Sequence, residues 1–221
     1  MYKQFREFQK GEFIVVGADT AHGGGDNCAA QFLSTKWLDV PLVYHSKSTA
    51  TLMTNSLHDK LTEISKLTGV APVIAYETNS GGDYELDRLA SLNRYGDYRI
   101  YTRKRLSPDG RMQETGKLGW DTNSATRPKM LQDLKQAVES NLIHLYHRMT
   151  VDEMFSFIVS DSGKAEAEQG AHDDLVMSLA ITWQLQQTEK PKKEEGGGVV
   201  EVSYGTMYKE AGVLDATQHE Y

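Results

Sequence analysis

Four carboxylates stand in this sequence where an acid can leave the core for a cleft. Asp19 ends the apolar run Phe13-Ile14-Val15-Val16-Gly17-Ala18, and Glu77 ends Val73-Ile74-Ala75-Tyr76. Asp173 and Asp174 directly precede Leu175-Val176 at the head of an apolar helical pattern. Alone, each has an ordinary use, because aspartate satisfies turn amides and is a favoured residue before a helix. Together they are oxygen donors drawn from different elements, a set that suits hard divalent cations such as Mg²⁺ or Mn²⁺. Two such ions about 3.5–4 Å apart can support in-line displacement at phosphorus, one activating water and the other stabilising the leaving oxygen. His22 and His172 have no His or Cys partner at zinc spacing, so they stand behind this set rather than in it.

Strands must deliver the first two acids. Short β-branched apolar runs bounded by glycine read as buried strands, and Asn27 to Leu33 resumes strand character after Gly23-Gly24-Gly25. Asp19 is therefore expected at the mouth of a hairpin. Pro41 to Ser46 reads as a third strand, which makes an antiparallel meander of sequence neighbours. Leu57, Leu61, Ile64 and Leu67 recur at helical spacing before Gly69, which predicts a helix over 50–68. Val73 to Glu77 shows no polar alternation, as expected of a central strand. Thr78 to Gly82 repeats the glycine turn, and Asp83 can cap a helix carrying Leu86 and Leu89. Tyr98 to Thr102 and Ile143 to Tyr146 read as strands, and Thr126 with Pro128 in the first turn starts a helix. Thr150 and Glu153 fit a capping box. Leu175, Val176, Leu179, Ala180 and Trp183 then define one apolar face of the last helix, with the paired aspartates at its N-terminus.

Charge points to a partner. The chain has a net charge of −7, yet residues 99–129 hold eight Lys or Arg against three acids. Arg103, Lys104, Arg105 and Arg111 flank the turn signal Ser107-Pro108-Asp109-Gly110, and Lys117 and Arg127 follow. A protruding basic hairpin facing phosphates is expected, binding double-stranded DNA without reading sequence. The 221 residues, 39% hydrophobic and 25% charged, suit one main domain. A single Cys28 rules out an internal disulfide and suits a reducing compartment. No apolar run approaches the ~20 residues that span a bilayer, and no signal-peptide core follows Met1, so no membrane partner is expected. The segment from Lys190 to Gly198 reads as a charged, glycine-rich linker, giving a domain over 1–188 and a flexible linker and tail over 189–221.

These pieces resemble the C-terminal nuclease domain of the large terminase subunit of tailed bacteriophages, an RNase H-like group. The matching residues are Gly17-Ala18-Asp19-Thr20-Ala21 with Gly25-Asp26, Tyr76-Glu77-Thr78-Asn79 with Gly82, Lys117-Leu118-Gly119-Trp120 with Thr122 and Thr126-Arg127, and His172-Asp173-Asp174-Leu175. The resemblance covers residues 11–187. It implies an α/β, RNase H-like mixed sheet, antiparallel in its first three strands and then parallel, flanked by helices. It implies a two-metal endonuclease that cuts concatemeric viral DNA during packaging, in the host cytoplasm, with Asp19, Glu77 and Asp174 as catalytic, metal-binding acids and Asp173 competing for the last role. The implied partners are the terminase ATPase domain, the small terminase subunit and the portal. No G-x-x-x-x-G-K-[ST] loop occurs in these 221 residues, so the resemblance implies a fragment without the motor. Another RNase H-like nuclease, such as a Holliday-junction resolvase or transposase, would use similar acids. A non-catalytic DNA-binding module would bind regardless of metal.

Overall fold

The computed structural model describes residues 1–20, 27–79, 82–159, 165–167 and 172–192, and its compact unit is Met1–Pro191. His22, the Gly23–Gly25 turn and residues 193–221, most of the expected linker and tail, lie outside the described residues.

Among the described residues, β1 (Tyr2–Gln4), β2 (Ile14–Asp19), β3 (Cys28–Ser34), β4 (Asp39–Ser46), β5 (Val73–Tyr76) and β6 (Arg99–Ile100) form one sheet in the order β1-β4-β3-β2-β5-β6. β2, β3 and β4 are antiparallel, while β5 runs parallel to β2 and β6 parallel to β5, the mixed arrangement expected. Every residue of β2, β3 and β5 is buried, which matches their unbroken apolar character. Helices α1 (Ala50–Thr68) and α2 (Gly82–Leu92) cover one face; α3 (Thr126–Glu139), α4 (Arg148–Phe155) and α5 (Asp174–Thr188) cover the other. No described helix is long and apolar enough to cross a membrane.

Local chemistry sets the ends of α1. The Thr49 side chain accepts the Leu52 N–H (3.3 Å), and Gly69, with φ 72°, donates to the Ser65 carbonyl (2.8 Å). Its buried stripe is Met53, Leu57, Leu61 and Ile64; Leu67 is 52% exposed, because Thr68 takes the inward place in the last turn.

Four expectations change. Asp83 lies inside the first turn of α2, which already begins at Gly82, so it does not precede that helix as a cap. Ile143 to Tyr146 is not a strand but a single bridge from His144 to Asp39. The reason is competition, since β1 already occupies the outer edge of β4 from Leu42 to Tyr44. α4 starts at Arg148, with His147 before it, so Thr150 and Glu153 lie inside the helix and their side chains serve elsewhere. α5 shows no single apolar face: every residue from Asp174 to Leu185 is buried, because the helix lies between the sheet and α3 and α4. Beyond β6, β7 (Thr102–Leu106) and β8 (Met112–Leu118) make a separate antiparallel hairpin, as do β9 (Phe157–Val159) and β10 (Ala165–Ala167).

Candidate metal centre and its basic rim

Strand periodicity aims the first two acids. Side chains alternate across a sheet, and Val15, Val73 and Ala75 pack with α5 whereas Ile14, Val16, Ala18, Ile74 and Tyr76 pack with α1 and α2. Asp19 and Glu77 continue the α5-facing series. The parallel register sets Ala18 against Tyr76, and Glu77 N–H donates to the Ala18 carbonyl (2.8 Å), so the two acids leave adjacent strands side by side. α5, whose first residue is Asp174, lies directly on β2. A Cβ on Gly17 would stand 2.3 Å from the Ser178 carbonyl oxygen, so no larger residue fits there. The Thr182 hydroxyl replaces the missing bulk with chemistry: it accepts Gly17 N–H (2.8 Å) and lies within reach of the Ser178 and Gln31 carbonyls (2.7 and 3.2 Å).

Glu77 is framed on its other side by the chain returning from β8. Trp120 N–H donates to the Tyr76 carbonyl (2.7 Å) and Thr78 N–H to the Trp120 carbonyl (2.9 Å), a parallel bridge that pins the backbone at Glu77. Two glycines permit this approach. A Cβ at Gly82 would lie 1.8 Å from the Glu77 carbonyl oxygen, and one at Gly119, where φ is +76°, would lie 2.5 Å from Thr78 Cγ2. Asn79 Nδ2 then donates to Glu77 Oε1 (3.2 Å) and to the Thr122 carbonyl, fixing the carboxylate.

Asp173 and Asp174 part company. Asp173 makes no side-chain cap bond; its carboxylate accepts Arg127 Nη2 (2.8 Å). Asp174 is buried, accepts Asn27 N–H (3.3 Å), and has His172 Nδ1 3.8 Å away. Asp19, Glu77 and Asp174 are all nearly inaccessible, at 8, 9 and 8% exposure. Burial, and then the charges of Glu77, Asp174 and Asp173, hold the Asp19 carboxyl protonated well above the ordinary carboxylate range.

No protein-family model matches the chain, and no curated protein matches it. Solved structures do. The large terminase nuclease of thermophilic phage G20c with bound magnesium superposes with TM-score 0.60 at 17% identity, covering 83% of this chain and 86% of that one. The large terminase nuclease domain of Thermus phage P74-26 gives 0.57 at 17%, covering 87% and 89%. The manganese-soaked terminase nuclease domain of human cytomegalovirus gives 0.51 at 10%, covering 78% and 83%. This chain has the terminase-nuclease fold.

On that terminase-nuclease fold the acid set fits a hard divalent cation in its donor chemistry. The converging side chains are carboxylates, and buried like charges are stable together only when protons or a cation neutralise them. Among the described residues no three His, Cys, Asp or Glu groups are drawn into a finished coordination set. The Asp19 and Glu77 carboxyl groups nonetheless lie within hydrogen-bond reach of each other, with Asp174 and Asp173 near enough to act on Asp19 electrostatically.

The basic rim divides in two. Arg103 Nη2 donates to Thr78 Oγ1 (2.6 Å) and its Nε to the Gly119 carbonyl (3.3 Å), with Asp121 at 3.7 Å. Arg127 is paired with Asp173, and Lys104 with Glu189, which also accepts Arg99 Nη1 (3.1 Å). Glu189 is buried and tied to the sheet edge, one residue past the expected domain end. Arg105, Arg111 and Lys117 are exposed; among the described residues only Arg111 of the three has an acid near it, Asp109 at 3.8 Å. Sequence reasoning does not reach the roles that Glu153, Asn79 and Gln31 play here. Asn79 stood beside a candidate acid and was findable; Glu153 and Gln31 act across long sequence gaps that no local pattern reveals.

Proposed function

We propose that this chain is a metal-dependent endonuclease that cuts double-stranded viral DNA concatemers during genome packaging, acting in the host cytoplasm. The observation that supports this reading is that buried Asp19 and Glu77 stand at adjacent strand ends on the side that α5 covers, and buried Asp174 opens α5. These three would hold Mg²⁺ or Mn²⁺, with Asp173 at the margin. A pair of such ions supplies positive charge that neutralises the scissile phosphate and acidifies a water. Asn79 keeps the Glu77 carboxylate turned into the site, and the burial of all three acids excludes bulk water. Asp173 keeps the Arg127 guanidinium beside the start of α5, where its remaining donors can meet a phosphate. Arg105, Arg111 and Lys117 hold the duplex backbone from the hairpin. The ATPase motor, the small terminase subunit and the portal are the partners this role requires.

Supercoiled plasmid incubated with Mg²⁺, with Mn²⁺ and with EDTA tests the reading. Cleavage with either metal and none with EDTA is expected. Cleavage that survives EDTA, or DNA binding with no cleavage under any metal, would remove it. A four-way junction cut in preference to linear duplex would transfer the fold to a resolvase role.

A further inference from the structure

A helix start leaves its first amides without partners, and Asp174 sits in such a turn. The residue before it does not cap, since Asp173 is turned to Arg127. The cap comes from another helix instead. Glu153 of α4 accepts the Val176 N–H (2.8 Å) and also meets the Leu175 amide. One turn earlier on α4, Thr150 Oγ1 accepts from Gln31 Nε2 (3.0 Å), and the same nitrogen donates to the Leu175 carbonyl (3.3 Å). His147 Nδ1 lies 2.9 Å from Thr150 Oγ1 and holds that hydroxyl in place. The first turn of α5 is thus gripped by its amides and by a carbonyl, both from the polar face of α4 and the β3 side chain beneath it.

We propose that Glu153 is a positioning residue for the metal centre: by capping α5 from α4 it fixes Asp174 where Asp19 and Glu77 meet it. The proposal rests on reading those acids as metal ligands. Ligating carboxylates need placement within about 0.5 Å, and an uncapped helix end frays. Because Asp173 is relieved of capping, its carboxylate is available to Arg127.

The test uses the full chain without DNA and reads Mn²⁺ affinity by calorimetry, together with amide hydrogen exchange at Leu175 and Val176 in metal-free protein. Glu153→Gln keeps the acceptor oxygen and should bind Mn²⁺ within about threefold of wild type, whereas Glu153→Ala should weaken binding by about 10- to 100-fold. Exchange at both amides should accelerate in the alanine variant only. If Glu153→Ala does not fold, Glu153→Asp, which withdraws the acceptor by one methylene, should show the same weakening. Equal losses in the glutamine and alanine variants would mean that the charge itself is needed, overturning a positioning role. Wild-type affinity in the alanine or aspartate variant would overturn it as well. Asp174→Asn serves as control: if it binds Mn²⁺ like wild type, the ligand reading has failed, and faster exchange in Glu153→Ala would separate that failure from loss of the cap.

Discussion

β2 ends on an acid and β7 carries three basic residues, but the two strands are held very differently. β2 is hydrogen-bonded on both edges, by β3 and β5, and α5 lies against its face at Gly17. Among the described residues β7 pairs only with β8, whose residues from Met112 to Lys117 are all exposed. A carboxylate at the end of β2 therefore has little freedom, which suits metal ligation, where small displacements matter. A guanidinium on the hairpin can shift by more than that and still meet a phosphate, because backbone contacts ask only for charge at roughly the right place. Arg103 joins the two regimes: it springs from the hairpin but is anchored at Thr78 and Gly119, beside Glu77.

Removing an acid should break this contrast most severely. Asp19→Asn, Glu77→Gln and Asp174→Asn are each expected to slow plasmid cleavage by at least about 10²–10³-fold, the scale of losing one preorganised charge-stabilising group. Metal-free thermal stability should stay level or rise, since repulsion among buried carboxylates is relieved. Asp173→Asn should be milder, because that carboxylate is committed to Arg127. Wild-type rates in Asp19→Asn would sink the assignment.

The hairpin variants sharpen the comparison with smaller effects. Replacing Arg105, Arg111 and Lys117 together with alanine should weaken duplex binding alike on unrelated sequences and flatten the salt dependence by ~0.9 for each phosphate no longer neutralised. Arg103→Ala should leave that slope nearly intact and instead cost about 1 kcal/mol of stability, as the Thr78 hydroxyl and Gly119 carbonyl lose a partly buried charged donor. Filter binding across a salt series with parallel thermal melts separates the two. An Arg103→Ala slope as flat as the triple variant's would return Arg103 to the DNA-binding group.

The same contrast governs what is legible in the sequence. Asp19 and Glu77 announce themselves because local features decide them: a β-branched run, its polar end and a glycine turn. The pairing that brings them together needs the β2–β5 register, which a right sheet order makes available. The split of the basic residues was not legible, because it depends on tertiary partners, Thr78 for Arg103 and Glu189 for Lys104. Capping logic misled in a similar way. Thr150 and Glu153 have the spacing of a box at the start of α4, yet burial against β3 and α5 recruits both side chains to other partners. Tertiary demand overrode a correct local pattern.

The smallest effect expected is a pH dependence confined to the rigid region. Burial, followed by the nearby charges of Asp174 and Asp173, lifts the Glu153 carboxyl from its ordinary 4.5 to about 8, against the opposing pull of the two amides it caps. Asp19 is raised for related reasons. Both groups bind protons more tightly folded than unfolded, so their contribution to stability is fully present below the ordinary carboxylate pKa. It is lost as pH rises through the folded values, for Glu153 through about 8. The melting temperature of the metal-free protein should therefore decline between about pH 5 and pH 9. Glu153→Gln, which carries no proton to lose, should make the decline shallower, and saturating Mg²⁺ should do the same by neutralising the acids around it. The hairpin variants should follow the wild-type curve, since Arg105, Arg111 and Lys117 lie in solvent, away from the buried acids. A melting temperature that climbs with pH over the same interval without metal would contradict the buried, proton-holding state of this acid cluster.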